Sequence, residues 1–102
     1  MPGELLPIVC NLDSLTDAER ARRAELAALV RAGTLRVVEN ETGYSIHLRP
    51  GNDVLERAEE LIALERRCCG FMSLTLRRDD AVLELSGREG TKAFIAAELD
   101  LL

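Results

Sequence analysis

Residues 53–70, DVLERAEELIALERRCCG, contain the most regular helical pattern in this 102-residue sequence. Apolar residues recur there at spacings of three and four, which places them on one face of a helix. These residues are Leu55, Ala58, Leu61, Ile62 and Leu64. The preceding segment Pro50-Gly51-Asn52-Asp53 breaks the pattern and offers an N-cap, and Gly70 is a typical helix terminator. The pattern therefore predicts an amphipathic helix from about Asp53 to Cys68 or Cys69.

A pair of predicted strands lies on each side of this helix. In each pair, apolar and polar residues alternate in two short runs separated by a polar turn, at residues 39–43 before the helix and 78–80 after it. A period of two is typical of a strand with one buried face. The apolar residues are Leu35, Val37, Tyr44, Ile46 and Leu48 in the first pair and Leu74, Leu76, Leu83 and Leu85 in the second. We therefore expect two β-hairpins.

Two further helices are predicted toward the ends of the chain. Thr16-Asp17-Ala18-Glu19 fits a capping box, and strong helix formers continue to Ala32, before Gly33. The expected apolar stripe of this first helix comprises Ala21, Ala24, Leu26, Ala28 and Leu29. A closing helix from Thr91 is expected to direct Phe94, Ile95, Leu99 and Leu102 toward the core. Residues 1–13 are expected to form an irregular or extended lead-in, with Leu5, Leu6, Ile8 and Val9 packed on the domain.

The resulting order is helix–strand–strand–helix–strand–strand–helix, in a single domain that spans residues 1–102. Short matching segments recur in the two halves: Glu25-Leu26-Ala27-Ala28-Leu29 resembles Glu60-Leu61-Ile62-Ala63-Leu64, and Thr34-Leu35-Arg36 resembles Thr75-Leu76-Arg77. Two helix-plus-hairpin units bury their apolar faces when they share one sheet. The predicted fold is α+β, with a four-stranded antiparallel sheet and the helices mainly on one face.

Charge and composition restrict the partners and the location. A net charge of −5, without an extended basic cluster, disfavours binding to nucleic acid or to an anionic membrane. No apolar run approaches the ~20 residues of a membrane span, and Met1-Pro2-Gly3-Glu4 lacks the regions of a secretory signal. We therefore expect a cytoplasmic protein without nucleic-acid or membrane partners. Its three cysteines are an unsuitable number for a disulfide framework, so we expect reduced thiols.

Residues capable of chemistry cluster at the end of the central helix. Cys68 and Cys69 continue its apolar face, and Glu65 lies one turn before them. A carboxylate on an apolar face is costly to bury without a partner, and we expect an arginine at the rim to supply one. The remaining cysteine, Cys10, meets the pair only if the lead-in returns past this helix end.

The first functional hypothesis is a soft-metal site. Thiolates bind soft ions, so Cys10, Cys68 and Cys69 are candidate ligands for zinc, mercury, copper(I) or arsenite. Glu65 is then a fourth ligand or a proton acceptor. The spacing of these residues matches no zinc finger or ribbon, which requires two separated pairs of ligands.

The second hypothesis is thiol redox sensing or reduction by Cys10 with Cys68 or Cys69. Adjacent cysteines are poor disulfide partners because their Cα atoms are about 3.8 Å apart, so Cys10 is the expected partner. The carboxyl end of a helix disfavours a thiolate, and Arg66 and Arg67 are expected to offset this in part.

The third hypothesis treats the cysteines as structural core residues of a non-enzymatic interaction module. In that case an exposed sheet face that includes Tyr44 and Val82 forms a homodimer. The sequence leaves open whether the protein is an enzyme.

Other residues carry weaker signals. His47 is expected on the solvent-facing side of its strand. The segment Gly87-Arg88-Glu89-Gly90 is expected to form a turn before the closing helix rather than an anion site. Arg20, Arg22 and Arg23 lie among glutamates and are expected on a solvated helix face.

The segment Glu65-Arg66-Arg67-Cys68-Cys69-Gly70-Phe71, with Cys10 upstream and Leu85-Ser86-Gly87-Arg88-Glu89-Gly90 downstream, resembles a group of small uncharacterised bacterial proteins. That group has a C…E-x-x-C-C-P-F pattern and a later G-P-E-G-x-K-x-F pattern, and Gly70 and Arg88 stand here in place of its two prolines. The resemblance spans Cys10 to Phe94. It associates the chain with heavy-metal handling and carries over no specific activity.

Overall fold

The structure, a computed structural model, describes residues 8–99. Three α-helices follow in chain order: α1 (Asp17–Ala32), α2 (Asn52–Cys68) and α3 (Thr91–Glu98), with a short 3-10 helix at Leu12–Ser14. The strands are β1 (Thr34–Glu39), β2 (Gly43–Leu48), β3 (Met72–Arg77) and β4 (Val82–Gly87). Within these residues, the predicted order of elements and the α+β class are confirmed.

The four strands form one antiparallel sheet in the order β1-β2-β4-β3, so that β2 and β4 of the two hairpins pair at its centre. Register aligns apolar residues across the strands, because Tyr44 pairs with Leu85 and Ile46 pairs with Leu83. These side chains form the main core with Ala58 of α2 and Ile95 of α3. The alternate strand residues are mainly polar, and His47 lies half-buried among them.

Helix α1 begins as the sequence predicts. The Thr16 hydroxyl accepts a hydrogen bond from the Glu19 backbone N–H, and the Glu19 carboxylate accepts one from the Thr16 backbone N–H. The predicted apolar stripe is partly wrong, since the buried residues of this helix are Leu26 and Val30. Ala21, Ala24 and Ala28 are exposed. Alanine favours a helix without needing burial, and here it serves helix formation on the outer face.

Helix α2 buries the side that the sequence predicts. Leu55, Ala58, Ile62 and Leu64 are buried, and Leu61 is half-buried. The helix begins one residue before the expected position, and its N-cap residue is Gly51, which makes no side-chain cap. The polar side chains that follow Gly51 therefore lie inside the first turn.

Two expectations about apolar residues are corrected. Val9 is 55% exposed instead of packed on the domain, whereas Ile8 is half-buried beside Gly90. Tyr44 and Val82 are buried within the chain, so they do not form an exposed apolar sheet face. The homodimer stays a prediction, without these two residues as its basis. The expected contacts of Leu5, Leu6 and Leu102 lie outside the described residues.

No helix within residues 8–99 combines the length and apolar character needed to cross a membrane.

Gly43 sets how closely the two central strands approach. The turn before it is closed by Asn40, whose side-chain oxygen accepts hydrogen bonds from the backbone N–H groups of Thr42 and Gly43. A Cβ atom at position 43 would overlap the carbonyl oxygen of Leu85 in β4. The absence of a side chain therefore permits the β2–β4 pairing that joins the hairpins.

We expect Gly43→Ala to lower the free energy of unfolding by about 2 kcal/mol or more, because the β4 backbone has to move away from the added methyl group. Urea unfolding followed by circular dichroism measures the change. The control is Ser73→Ala at an exposed position of β3, which should remain within about 0.5 kcal/mol of the parent protein. Equal losses in the two variants would contradict the close approach at Gly43.

Candidate thiol and metal site

The carboxyl end of α2 is closed by the lead-in and by the 3-10 helix that follows it. The last carbonyl groups of a helix have no partners within the helix. The backbone N–H of Asn11 donates to the Cys68 carbonyl oxygen at 2.6 Å, and Ser14 Oγ donates to the Arg67 carbonyl oxygen at 3.1 Å. Arg67 Nη2 donates in return to the Ser14 carbonyl oxygen at 3.1 Å. These bonds bring Cys10, the neighbour of Asn11, to the cysteine pair.

All three cysteines meet at this helix end. Cys10 and Cys69, which are 59 positions apart, form a disulfide, and Cys68 is a free thiol. Cys68 Sγ lies 3.5 Å from Cys69 Sγ. Cys69 is fully buried, Cys68 is 3% exposed and Cys10 is half-buried. The expectation of reduced thiols is therefore wrong for Cys10 and Cys69, because closure of the helix end brings their sulfur atoms into bonding distance.

Glu65 finds its expected arginine partner on α1. Arg23 Nε lies 2.8 Å from Glu65 Oε1, and the two side chains are only 18% and 13% exposed. The Arg23 Nε–H group makes no hydrogen bond of good geometry within the described residues, so charge attraction is the main link in this pair. Arg23 Nη2 lies 3.9 Å from Glu98 Oε1. The prediction that Arg23 lies on a solvated face is wrong.

The ionisable groups beside the sulfur atoms are tuned by burial and by this ion pair. Burial raises the pKa of the Glu65 carboxyl, and the Arg23 guanidinium opposes that shift. Burial also raises the pKa of the Cys68 thiol; the charge of Glu65 adds to the increase, and Arg23 acts against it. Cys68 is therefore held in the protonated form more strongly than an exposed cysteine, and it must lose a proton before it can bind a metal ion.

The two arginines before Cys68 have other main partners. Arg66 Nη2 donates to the Leu74 carbonyl oxygen at 2.7 Å, and Arg67 Nη1 lies 2.5 Å from Glu19 Oε2. Arg67 and the Thr16 backbone N–H lower the pKa of Glu19 to about 2. The cation that most lowers the pKa of the Cys68 thiol is therefore Arg23, and Arg67 also interacts with Cys68 through its charge, as expected.

The four residues predicted as metal ligands converge in space. One ligand atom from each of Cys10, Glu65, Cys68 and Cys69 lies within 4.8 Å of the others. Zn–S bonds of about 2.3 Å place the sulfur ligands of a tetrahedral ion about 3.8 Å apart, so modest side-chain movements suffice once the disulfide is reduced. The role of these residues as ligands stays a prediction. His47 and the turn at residues 87–90 are not part of this cluster.

A cavity of about 390 Å³ lies between the helices and the sheet, next to Glu65. Most of its lining is aliphatic or aromatic, including Ala27 of α1, Leu61 of α2, Met72 of β3 and Phe94 of α3. Leu61 and Met72 also pack against the buried cysteine cluster. The cavity and the cysteine cluster therefore share these two side chains.

Sequence reasoning missed Arg23 and the cavity. A signal existed for Arg23, because it precedes Leu26 by three residues and Val30 by seven and so shares their buried face. The cavity arises from the packing of four elements and leaves no pattern along the chain.

Comparisons with protein families, with characterised proteins and with solved structures gave no match to this chain. The resemblance to the bacterial group with the C-C-[PG]-F pattern therefore stays a prediction.

We expect Arg23→Met to lower the free energy of unfolding of the oxidised protein by about 2–4 kcal/mol, because it leaves the Glu65 carboxylate buried and unpaired. The double variant Arg23→Met/Glu65→Leu should lose less than Arg23→Met alone, since both buried charges are then absent. Urea unfolding at neutral pH measures both.

Arg22→Met is the matched control for this pair. Arg22 contacts Glu25 and Glu60 on the exposed surface of the helices, and exposed ion pairs contribute little to stability. The loss at Arg22 should therefore be smaller than the loss at Arg23. If the double variant is less stable than Arg23→Met, the loss in Arg23→Met does not come from an unpaired, buried Glu65 carboxylate, and the prediction is wrong.

Proposed function

We propose that the reduced protein binds a soft metal or metalloid ion through the thiolates of Cys10, Cys68 and Cys69. The observation that supports this function is the convergence of the three sulfur atoms and the Glu65 carboxylate within 4.8 Å. Thiolate sulfur is the preferred ligand of soft ions. Trivalent arsenic forms three bonds, so arsenite suits a site with three sulfurs, and zinc, mercury(II) and copper(I) are its competitors. Glu65 accepts a proton from a thiol or provides a fourth ligand.

The third sulfur does not depend on the disulfide for its position. The N–H of Asn11 and the hydroxyl of Ser14 hold this part of the chain on the Cys68 and Arg67 carbonyl oxygens, and these bonds involve no sulfur. Reduction therefore leaves Cys10 near Cys68 and Cys69. Because Cys68 and Cys69 are shielded from solvent, a bound ion is also shielded from competing ligands.

We expect reduced protein to bind one arsenite per chain. Binding should raise stability by about 2.7 kcal/mol when the free ligand is at one hundred times its dissociation constant. Calorimetric titration and urea unfolding with and without arsenite measure these effects. Zn(II) and Hg(II) titrated in parallel identify the preferred ion.

Serine variants assign the ligands. Cys10→Ser, Cys68→Ser and Cys69→Ser should each weaken arsenite binding at least about tenfold, because each removes one of three As–S bonds. Ser73→Ala, at an exposed site on β3, should bind like the parent protein. Binding that is unaffected by all three serine variants would overturn the three-thiolate site.

A thiol redox function is the second candidate, and the Cys10–Cys69 disulfide is the observation that favours it. In this function, peroxide oxidises the two thiols to the disulfide and is itself reduced to water. Cys68 stays reduced beside them, since a disulfide with its neighbour Cys69 is geometrically unfavourable.

We expect the disulfide form to bind no arsenite, because a sulfur in a disulfide lacks the thiolate electron pair that an ion requires. Treatment of reduced protein with one equivalent of peroxide should join Cys10 to Cys69, as peptide mapping detects. A phosphine reductant should then restore binding. A redox sensor additionally requires this oxidation to be much faster than that of free cysteine; equal rates would leave the disulfide without a sensing role.

A further inference from the structure

We propose that the cavity beside Glu65 receives the organic group of a monosubstituted arsenic(III) compound whose arsenic atom is bound by Cys68 and Cys69. This inference rests on the proposed function and names its substrate class. It concerns a hydrophobic part of the ligand that inorganic arsenite lacks.

The cavity is partly open to solvent and has the size of a ligand site. Sites for small organic molecules have volumes of about 300–1,000 Å³. The volume here is about 390 Å³, which accommodates an aromatic ring or a short alkyl chain. Leu74, Leu83 and Leu85 of the sheet form its floor, and this surface favours hydrocarbon.

The charged residues around the cavity favour a neutral guest. Two arginines, Arg23 and Arg31, and two glutamates, Glu65 and Glu98, line it, so their charges balance. Arg23 lies against Glu65 and Glu98, and Arg31 donates to the Glu98 carbonyl oxygen at 3.1 Å. A charged ligand would have to separate these partners, whereas a hydrocarbon group does not.

The cavity and the thiols share a wall. Glu65 lines the cavity, and one of its oxygens lies within 4.8 Å of the cysteine sulfur atoms. Met72 and Leu61 also belong to both surroundings. A substituent on an atom held by Cys68 and Cys69 therefore reaches the cavity by passing the Glu65 side chain.

The chemistry requires two thiols and no oxidant. In R–As(OH)₂, the two thiols displace the two hydroxyl groups: two As–S bonds form, two As–O bonds break, and the thiol protons leave with the hydroxyls as two water molecules. The As–C bond stays intact, and arsenic stays trivalent. Cys68 and Cys69, whose sulfur atoms are 3.5 Å apart, supply both thiols, and R occupies the valence that Cys10 takes with arsenite.

The test compares reduced protein with phenyl-, methyl- and inorganic arsenic(III), added as phenylarsine oxide, methylarsonous acid and arsenite. Each affinity is expressed relative to the affinity of a small dithiol for the same compound, which removes the intrinsic difference between the reagents. We expect the relative affinity for the phenyl compound to exceed that for the methyl compound at least about tenfold, because the ring buries more apolar surface. Equal relative affinities would overturn the proposal.

Two alanines on α1 give a matched pair of variants. Ala27 lines the cavity, whereas Ala24 is exposed on the same helix. Ala27→Leu should weaken phenyl binding at least about tenfold and leave arsenite binding within about twofold, whereas Ala24→Leu should change neither. If Ala27→Leu does not fold, the ratio of the relative affinities for the phenyl and methyl compounds in the parent protein still tests the proposal.

The cysteine requirement separates this proposal from the proposed function. Cys10→Ser should weaken arsenite binding and leave phenyl binding within about threefold, since the organic group replaces the third sulfur. If arsenite fails to bind the parent protein, the three-thiolate site is wrong. If arsenite binds normally but the phenyl compound shows no preference, the three-thiolate site stands and only the cavity proposal falls.

Discussion

The carbonyl groups at the end of α2 impose the constraint on which the site depends. A helix end that is covered by other parts of the protein needs donors for its last carbonyl oxygens, because a buried acceptor without a partner costs about 1–3 kcal/mol. Asn11 and Ser14 supply donors to Cys68 and Arg67, and Arg67 in turn binds Glu19 at the start of α1. The hydrogen bonds that cap this helix end thus place Cys10 beside Cys68 and Cys69.

The Arg23–Glu65 pair sets the electrostatic field at the sulfur atoms. Without an added cation, Glu65 raises the pKa of the Cys68 thiol and thereby opposes thiolate formation, and Arg23 compensates only in part. A cation bound among the thiols reverses the effect of Glu65, because the carboxylate then stabilises the positive charge. The same residue therefore disfavours the Cys68 thiolate in the free protein and favours the cations Zn(II), Hg(II) and copper(I), whereas arsenite, which is uncharged at neutral pH, gains nothing from this charge. Its second role is structural, as the wall between the sulfur atoms and the cavity.

The sequence predicted elements better than it predicted their contacts. Alternation in β2 and the α2 periodicity report directly on which residues are buried, and both predictions agree with the structure. The prediction is wrong for Leu35 of the edge strand β1, which is 60% exposed at a register shift in the β1–β2 pairing. The predicted apolar stripe on α1 was partly wrong because alanine has high helix propensity on either face, so Ala24 carried no information about burial. Arg23 is buried because it pairs with Glu65, which lies 42 positions away in the chain. The convergence of Cys10 with Cys69 depends on capping contacts between distant segments. Composition and periodicity do not reveal such contacts. The cavity is the space that the packed helices and sheet leave unfilled, and no single segment of the sequence determines it.

The two candidate functions are alternative states of one scaffold. The disulfide and the ion use the same sulfur electron pairs, so occupancy by an ion protects Cys10 and Cys69 from oxidation, and oxidation excludes the ion. The backbone hydrogen bonds that hold the site involve nitrogen and oxygen only, so neither state requires the helix end to be rebuilt. Cys68 distinguishes the two candidate functions, because it is a ligand in the proposed ion-bound state and a free thiol in the disulfide state. Cys68 packs with Leu15, Leu26 and Leu64 in a buried cluster, so packing alone accounts for its burial. Of the two candidate functions, only ion binding also uses its sulfur, which lies 3.5 Å from that of Cys69.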